Sequence, residues 1–259
     1  LHLCDRRQRQ MCIRDRENLL NEAAIDAAKE GRPYIMQKDI KKAFIKVGIG
    51  AEKKSKVISD KEKKITAYHE AGHAILFHVL PHMDPVYTIS IIPTGMGAAG
   101  YTMPLPDNDE MFNTKNKMLE DITTLLGGRV AEEIIFGDIT TGASNDIKRA
   151  TETARSMVMK YGMSEKIGLI AYGNDDDEVF IGRDLAHTRG YSEEVAREID
   201  GEISRIIREC HENAESIIRE NIGVLHSCVA LLLEKEKIHR EEFEALFTTE
   251  KEEVAKTNE

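Results

Sequence analysis

Residues 65–80 read ITAYHEAGHAILFHVL, and no other stretch constrains the chain so tightly. Ile65, Tyr68, Ala71, Gly72, Ile75, Leu76 and Val79 recur at the spacing of a buried helix. Inside that helix lie His69, Glu70 and His73. At about 100° per residue, positions four apart lie about 40° apart around the axis. Two imidazoles one turn apart can therefore reach a single Zn²⁺. Glu70 stands beside them, placed to take a proton from a water activated there. Two satisfied structural histidines are the alternative, but unliganded imidazoles on so apolar a helix would be costly. A Lewis acid, a water and a base together are what peptide hydrolysis requires.

Such a site needs a third protein ligand. The extended metzincin pattern would place Gly at 76 and His at 79, where this chain has Leu76 and Val79. His78 falls on the opposite side of the helix, and His82 follows Pro81 beyond its end. A carboxylate is the remaining choice. Glu132 and Glu133 lie in LLGGRVAEEIIFG (125–137). Asp146 lies in the first turn of a helix starting near Gly142, Ser144 or Asn145, where it would also complement the helix dipole. Pattern and spacing leave all three open.

Around this helix the chain divides. Residues 1–16, LHLCDRRQRQMCIRDR, carry five arginines against two aspartates, so the remaining residues hold −13 of a net charge of −10. The segment lacks the apolar core of a secretory signal and the serines of a transit peptide. It reads as a foreign, adaptor-derived start, with a natural basic arm as the alternative. From Glu17, Leu19, Leu20, Ala23, Ala24, Ala27 and Ala28 mark one helix, and Ile40, Ala43, Phe44 and Val47 a second. Residues 51–64 read as a charged linker, 65–247 as the main domain, and 248–259 as a flexible tail. Val86–Ile92 with Ala99–Met103, and Ile167–Tyr172 with Val179–Ile181, predict two small hairpins. Helices are expected over Tyr191–Arg219, Val224–Leu233 and Glu241–Phe247. The fold class is mainly α with a minor β portion.

Other functions recede. Gly95–Gly100 fits the dinucleotide pattern G-x-G-x-x-G, but Pro104 and Pro106 forbid the helix it needs. An acidic chain without Trp argues against nucleic-acid binding. The four cysteines form no C-x-x-C, favouring a reducing compartment over stapling. No apolar run approaches a membrane span, so a soluble chain is expected. The strand at Ala99, Gly100 and Tyr101 is a candidate for holding an extended peptide by main-chain pairing.

ENLLNEAA (17–24), AYHEAGHA (67–74), LGGRVAEEIIFG (126–137), TTGASNDIKRAT (140–151), YGMSEKIG (161–168) and FIGRDL (180–185) closely resemble the FtsH family of membrane-anchored, ATP-dependent zinc metalloproteases. The resemblance implies a helical zincin-type peptidase domain over 65–247 and the last two helices of an AAA+ ATPase lid over 17–50. It implies one Zn²⁺ per chain, held by His69, His73 and Asp146, with Glu70 catalytic and Glu132 and Glu133 supporting or structural. It further implies a homohexamer degrading membrane and cytoplasmic proteins. The parent would use ATP and an N-terminal inner- or plasma-membrane anchor. No phosphate-binding G-x-x-x-x-G-K-[ST] occurs in this sequence, so the nucleotide site is expected to lie outside it. A silent assembly module, or an inactive fragment of an incomplete gene product, is the rival reading.

Overall fold

The computed structural model describes residues 2–52, 58–95, 98–106, 112–172 and 191–257, giving backbone alone for 2–13, 15 and 249–257. Among these residues there are eight α-helices and one three-stranded sheet, the mainly α fold with a minor β part that the sequence predicts. The chain forms two compact units: one from residues 1–58 and 92–101, the other from 59–91 and 102–259.

In the smaller unit, α1 (His2–Lys29) and α2 (Gln37–Ile49) form a helical pair. The backbone of α1 runs back to His2, through the segment expected to be foreign. Gly31 takes φ +69 in the turn, and Arg32 reaches across it to Asp39 with two bonds of 2.9 and 2.7 Å. Asp39 also accepts the Met36 N–H at 2.8 Å, so the buried carboxylate begins α2.

The larger unit is built on α3 (Asp60–Val79), the helix of the two histidines. It starts five residues before Ile65, inside the expected linker. Ser59 and Glu62 exchange hydrogen bonds of 3.3 Å each way, a capping box hidden in a lysine-rich run. Helix α4 (Lys115–Phe136) crosses α3 and also packs on α5 (Ser144–Met159) and α6 (Glu193–Glu220). Helix α7 (Ile222–Lys235) lies against α3, and α8 (Arg240–Thr257) follows it. The backbone of α8 stays helical past Phe247, where the helical ending was expected, because EKEEVAKT is made almost wholly of good helix formers.

Strands β1 (Val86–Ser90), β2 (Tyr101–Pro104) and β3 (Lys237–His239) form a sheet of order β2-β1-β3. Strand β3 pairs antiparallel with β1, Ile89 opposite Ile238. Sequence reading missed β3, three residues lodged between helices. The first arm of the second expected hairpin is not a strand. Gly168 takes φ +79, its N–H donates to the Ser164 carbonyl at 3.0 Å, and residues 164–168 form a turn. The second arm and its acidic loop lie outside the described residues.

One core joins α3, α7, α8, β1 and β3 through Ile75, Leu76, Ile89, Leu225, Leu232, Ile238 and Phe243. A second joins α4, α5 and α6 through Ile122, Met157, Ile199 and Ile206. Helix α4 belongs to both cores and so fixes α5 relative to α3. No single described helix is long and apolar enough to cross a membrane.

Candidate metal centre

Burial on α3 is nearly unbroken from Ala67 to Leu76, and Glu70 and His73 are buried within it. What lets so polar a segment be buried is the closeness of α4. A Cβ at Gly72 would lie 2.5 Å from the Gly127 carbonyl oxygen and 2.8 Å from the Ala131 Cβ. A Cβ at Gly127 would lie 2.9 Å from the Gly72 carbonyl oxygen. The helices meet backbone to backbone, an approach that only glycine permits at both positions. Gly128 extends the contact, since a Cβ there would lie 2.5 Å from His69 Cε1 and Nε2.

This approach gives each imidazole a partner on α4. His73 Nδ1 lies 2.7 Å from the Thr124 carbonyl oxygen, which can only accept, so Nδ1 carries the hydrogen. His69 Nδ1 lies 2.7 Å from Glu132 Oε1 and donates to the carboxylate. Glu132 Oε2 accepts the Thr140 N–H at 2.9 Å, just before the short 3-10 helix Thr141–Ala143 that leads into α5. One buried carboxylate thus ties the first histidine to the start of the helix bearing Asp146.

With both Nδ1 atoms committed, the Nε2 atoms of His69 and His73 face each other at 3.1 Å. Asp146 Oδ2 lies 3.5 Å from His69 Nε2 and 3.8 Å from His73 Nε2. The three ligand atoms lie within 4.8 Å of one another. Tetrahedral bonds of about 2.0–2.1 Å would set ligand atoms about 3.3 Å apart, so the donor set and spacing suit zinc. Two imidazole nitrogens and a carboxylate converging in a buried place call for a positive charge, whether a proton or a metal ion. The imidazoles register that demand. Burial opposes a charge on His69, yet the Asp146 and Glu132 carboxylates outweigh it and raise its pKa, while burial and the charge on His69 lower that of His73.

Glu70 points elsewhere from its neighbours. Its Oε2 accepts from Thr102 Oγ1 at 2.9 Å, and burial pushes its pKa up to about 7, the range of a base working near neutrality. Glu132 and Glu133, indistinguishable by sequence, separate here. Glu132 is buried behind His69, whereas Glu133 is turned to His211 at 3.0 Å, away from the centre. His78 stacks on Phe247 with ring centroids 4.0 Å apart, and His82 is bonded to Glu120 at 2.6 Å. Neither joins the centre, as the helix geometry predicts. Of the proposed peptide-holding residues, Tyr101 begins β2 and donates to Glu52 at 3.2 Å, while Ala99 and Gly100 precede the strand. Sequence reading missed Thr102, the Thr124 carbonyl and Gly128. The Gly127–Gly128 pair inside a helical pattern was the available signal of a close approach.

Comparison with known proteins converges on the same chemistry. The model of peptidase family M41 matches residues 56–246. The chain is 54% identical over 232 residues to the ATP-dependent zinc metalloprotease FtsH of Caldicellulosiruptor bescii, covering 90% of this chain and 38% of that protein. Against FtsH 1 of Thermoanaerobacter sp. (strain X514), identity is 52% over 236 residues, with 91% of this chain and 38% of the relative covered. Against FtsH of Thermotoga maritima it is 50% over 240 residues, with 93% and 39% covered. The chain therefore spans under two fifths of the length of these curated relatives.

Proposed function

This chain belongs to peptidase family M41 and carries a zinc metalloendopeptidase domain, and from that premise we propose that His69, His73 and Asp146 hold the zinc and that Glu70 is the general base. The carrying observation is the convergence of those three ligand atoms within 4.8 Å beside a buried carboxylate. Bound there, zinc would supply a Lewis acid for the scissile carbonyl and acidify the attacking water.

The chain's own residues do the rest. The Glu132 carboxylate and the Thr124 carbonyl fix the tautomers and ring planes of His69 and His73. Glu70 takes the proton of the attacking water and later returns it to the leaving amine. Burial suits it to the first step, because it raises the carboxyl's pKa above the ordinary value and so favours taking up a proton. Strand β2 lies at an edge of the sheet and carries Thr102, the partner of Glu70. We assign it the holding of an extended substrate by main-chain pairing, with Ala99, Gly100 and Tyr101 at its entrance. A proline at Ala99 should lower peptide cleavage at constant zinc content, and unchanged cleavage would remove the strand from the proposal.

For the whole protein we propose an ATP-driven, membrane-anchored homohexamer that unfolds membrane and cytoplasmic proteins and feeds them to this domain. The names of the curated relatives support ATP dependence and zinc. The family resemblance supports the anchor, the ring and the substrates. Zinc analysis together with cleavage of a quenched peptide, for the natural chain and Glu70→Gln, tests the central claim. Zinc-dependent cleavage abolished by Glu70→Gln is the expected result. Equal cleavage by both proteins would refute the role of Glu70, and no cleavage by either zinc-loaded protein would leave a silent assembly module as the reading.

A further inference from the structure

Thr102 is the first β2 residue of the larger unit, and its hydroxyl is the described partner of the Glu70 carboxylate. Oγ1 lies 2.9 Å from Glu70 Oε2 and 3.0 Å from the Glu70 main-chain carbonyl oxygen. Both neighbours are acceptors on one residue, so the single hydroxyl hydrogen can go to the side chain or to the backbone that bears it. A glutamate otherwise has three side-chain torsions to lose before it can act as a directed base.

We infer that Thr102 is the positioning residue of the general base: its hydroxyl donates to Glu70 Oε2 and so presents the other carboxylate oxygen to the attacking water. The inference rests on the reading of Glu70 as that base. When Glu70 is ionised, the Thr102 hydroxyl donates to Oε2, a charge-assisted bond that holds the carboxylate in one rotamer. When Glu70 carries the proton taken from water, the hydroxyl can turn its hydrogen to the Glu70 carbonyl and keep a partner. The hydroxyl proton never leaves Thr102, and the proton taken from water goes to the amine. Because Thr102 sits on the edge strand, a peptide that pairs with β2 lies along the element that aims the base. Substrate docking and base orientation then share one strand.

The test uses the full zinc-loaded chain with Thr102→Val, which keeps the shape and removes the hydroxyl, and Thr102→Ser, which keeps the donor. For Thr102→Val, kcat for a quenched peptide should fall about tenfold or more, the loss of one hydrogen bond to a charged group. KM and zinc content should stay near those of the natural chain. Thr102→Ser should restore most of the rate. In the Glu70→Gln background, Thr102→Val should cause no further loss. A crystal structure of Thr102→Val should show the Glu70 carboxylate released from the position it holds here. An unchanged kcat in Thr102→Val, equal losses in the Val and Ser variants, zinc loss in step with rate, or an unmoved Glu70 would each overturn the inference. If Glu70→Gln itself cleaves like the natural chain, the general-base reading fails, and the crystallographic comparison still decides whether Thr102 orients that carboxylate.

Discussion

Gly128→Ala offers the sharpest probe of how α4 shapes the metal centre. The added Cβ would lie 2.5 Å from His69 Cε1 and Nε2 and 2.6 Å from Cδ2. Ordinary contacts between such atoms are about 3.5–4.0 Å, so the ring must retreat by about 1 Å. The retreat is blocked on the far edge by Glu132, 2.7 Å from His69 Nδ1. The helices cannot part cheaply either, since the backbones of Gly72 and Gly127 are already in contact. Overpacking of this kind costs about 1–3 kcal/mol of stability. A ligand displaced by about 1 Å exceeds the roughly 0.5 Å that a working site tolerates. Zinc affinity should therefore fall by about 10–100-fold or more. Competition with a chromophoric chelator measures it, and melting with and without zinc separates the stability cost from the affinity cost. Gly201→Ala is the control: a Cβ there meets nothing within 4 Å, and the helix should gain up to about 1 kcal/mol. If Gly128→Ala binds zinc within about threefold of the natural chain, the backbone account of the site is wrong.

Glu132→Gln keeps the shape behind His69 but removes the anion, and zinc affinity should drop about tenfold, read by the same competition. Asp39 is held at about 2 by the Arg32 guanidinium and the Met36 N–H, below its ordinary 3.8. Its stabilising contribution is then complete above about pH 4 and is lost as pH falls toward 2, so acid melts of Asp39→Asn should be flatter across that window. Burial pushes the Cys228 thiol up to about 12 and raises that of Cys210 as well. Thiol labelling of the native protein at pH 8, mapped by mass spectrometry, should spare both, and rapid modification of either would contradict their burial.

The histidine helix was legible because its apolar spacing and its liganding spacing share one period. Glu132 and Glu133 could not be told apart, since neighbours differ by about 100° around an axis and only packing decides which faces inward. The site was finished by groups without a sequence signature, namely a carbonyl at Thr124, a hydroxyl at Thr102 and the missing side chain of Gly128. The capping box at Ser59 was written in the sequence but masked by the surrounding lysines. Around Ile167 the apolar run suggested a strand. There, Ser164 accepts the Ile167 N–H at 3.3 Å and donates to Glu202 at 2.7 Å, which turns the chain back instead. Leu169 is left 94% exposed, so an apolar residue in that run did not mean a buried one.

The glycine-to-glycine crossing of α3 and α4 has a consequence for how metal is taken up. Side-chain packing can relax when a ligand leaves, but two peptide backbones in contact have little slack. The imidazoles and their orienting partners are thus ordered by folding itself. Metal capture then carries little conformational entropy cost, and the metal-free and metal-bound chains should superimpose at the centre. In this respect the domain should behave as a socket, unlike small zinc modules that are unfolded until the ion arrives. A cell could strip and refill such a socket without passing through an unfolded protein.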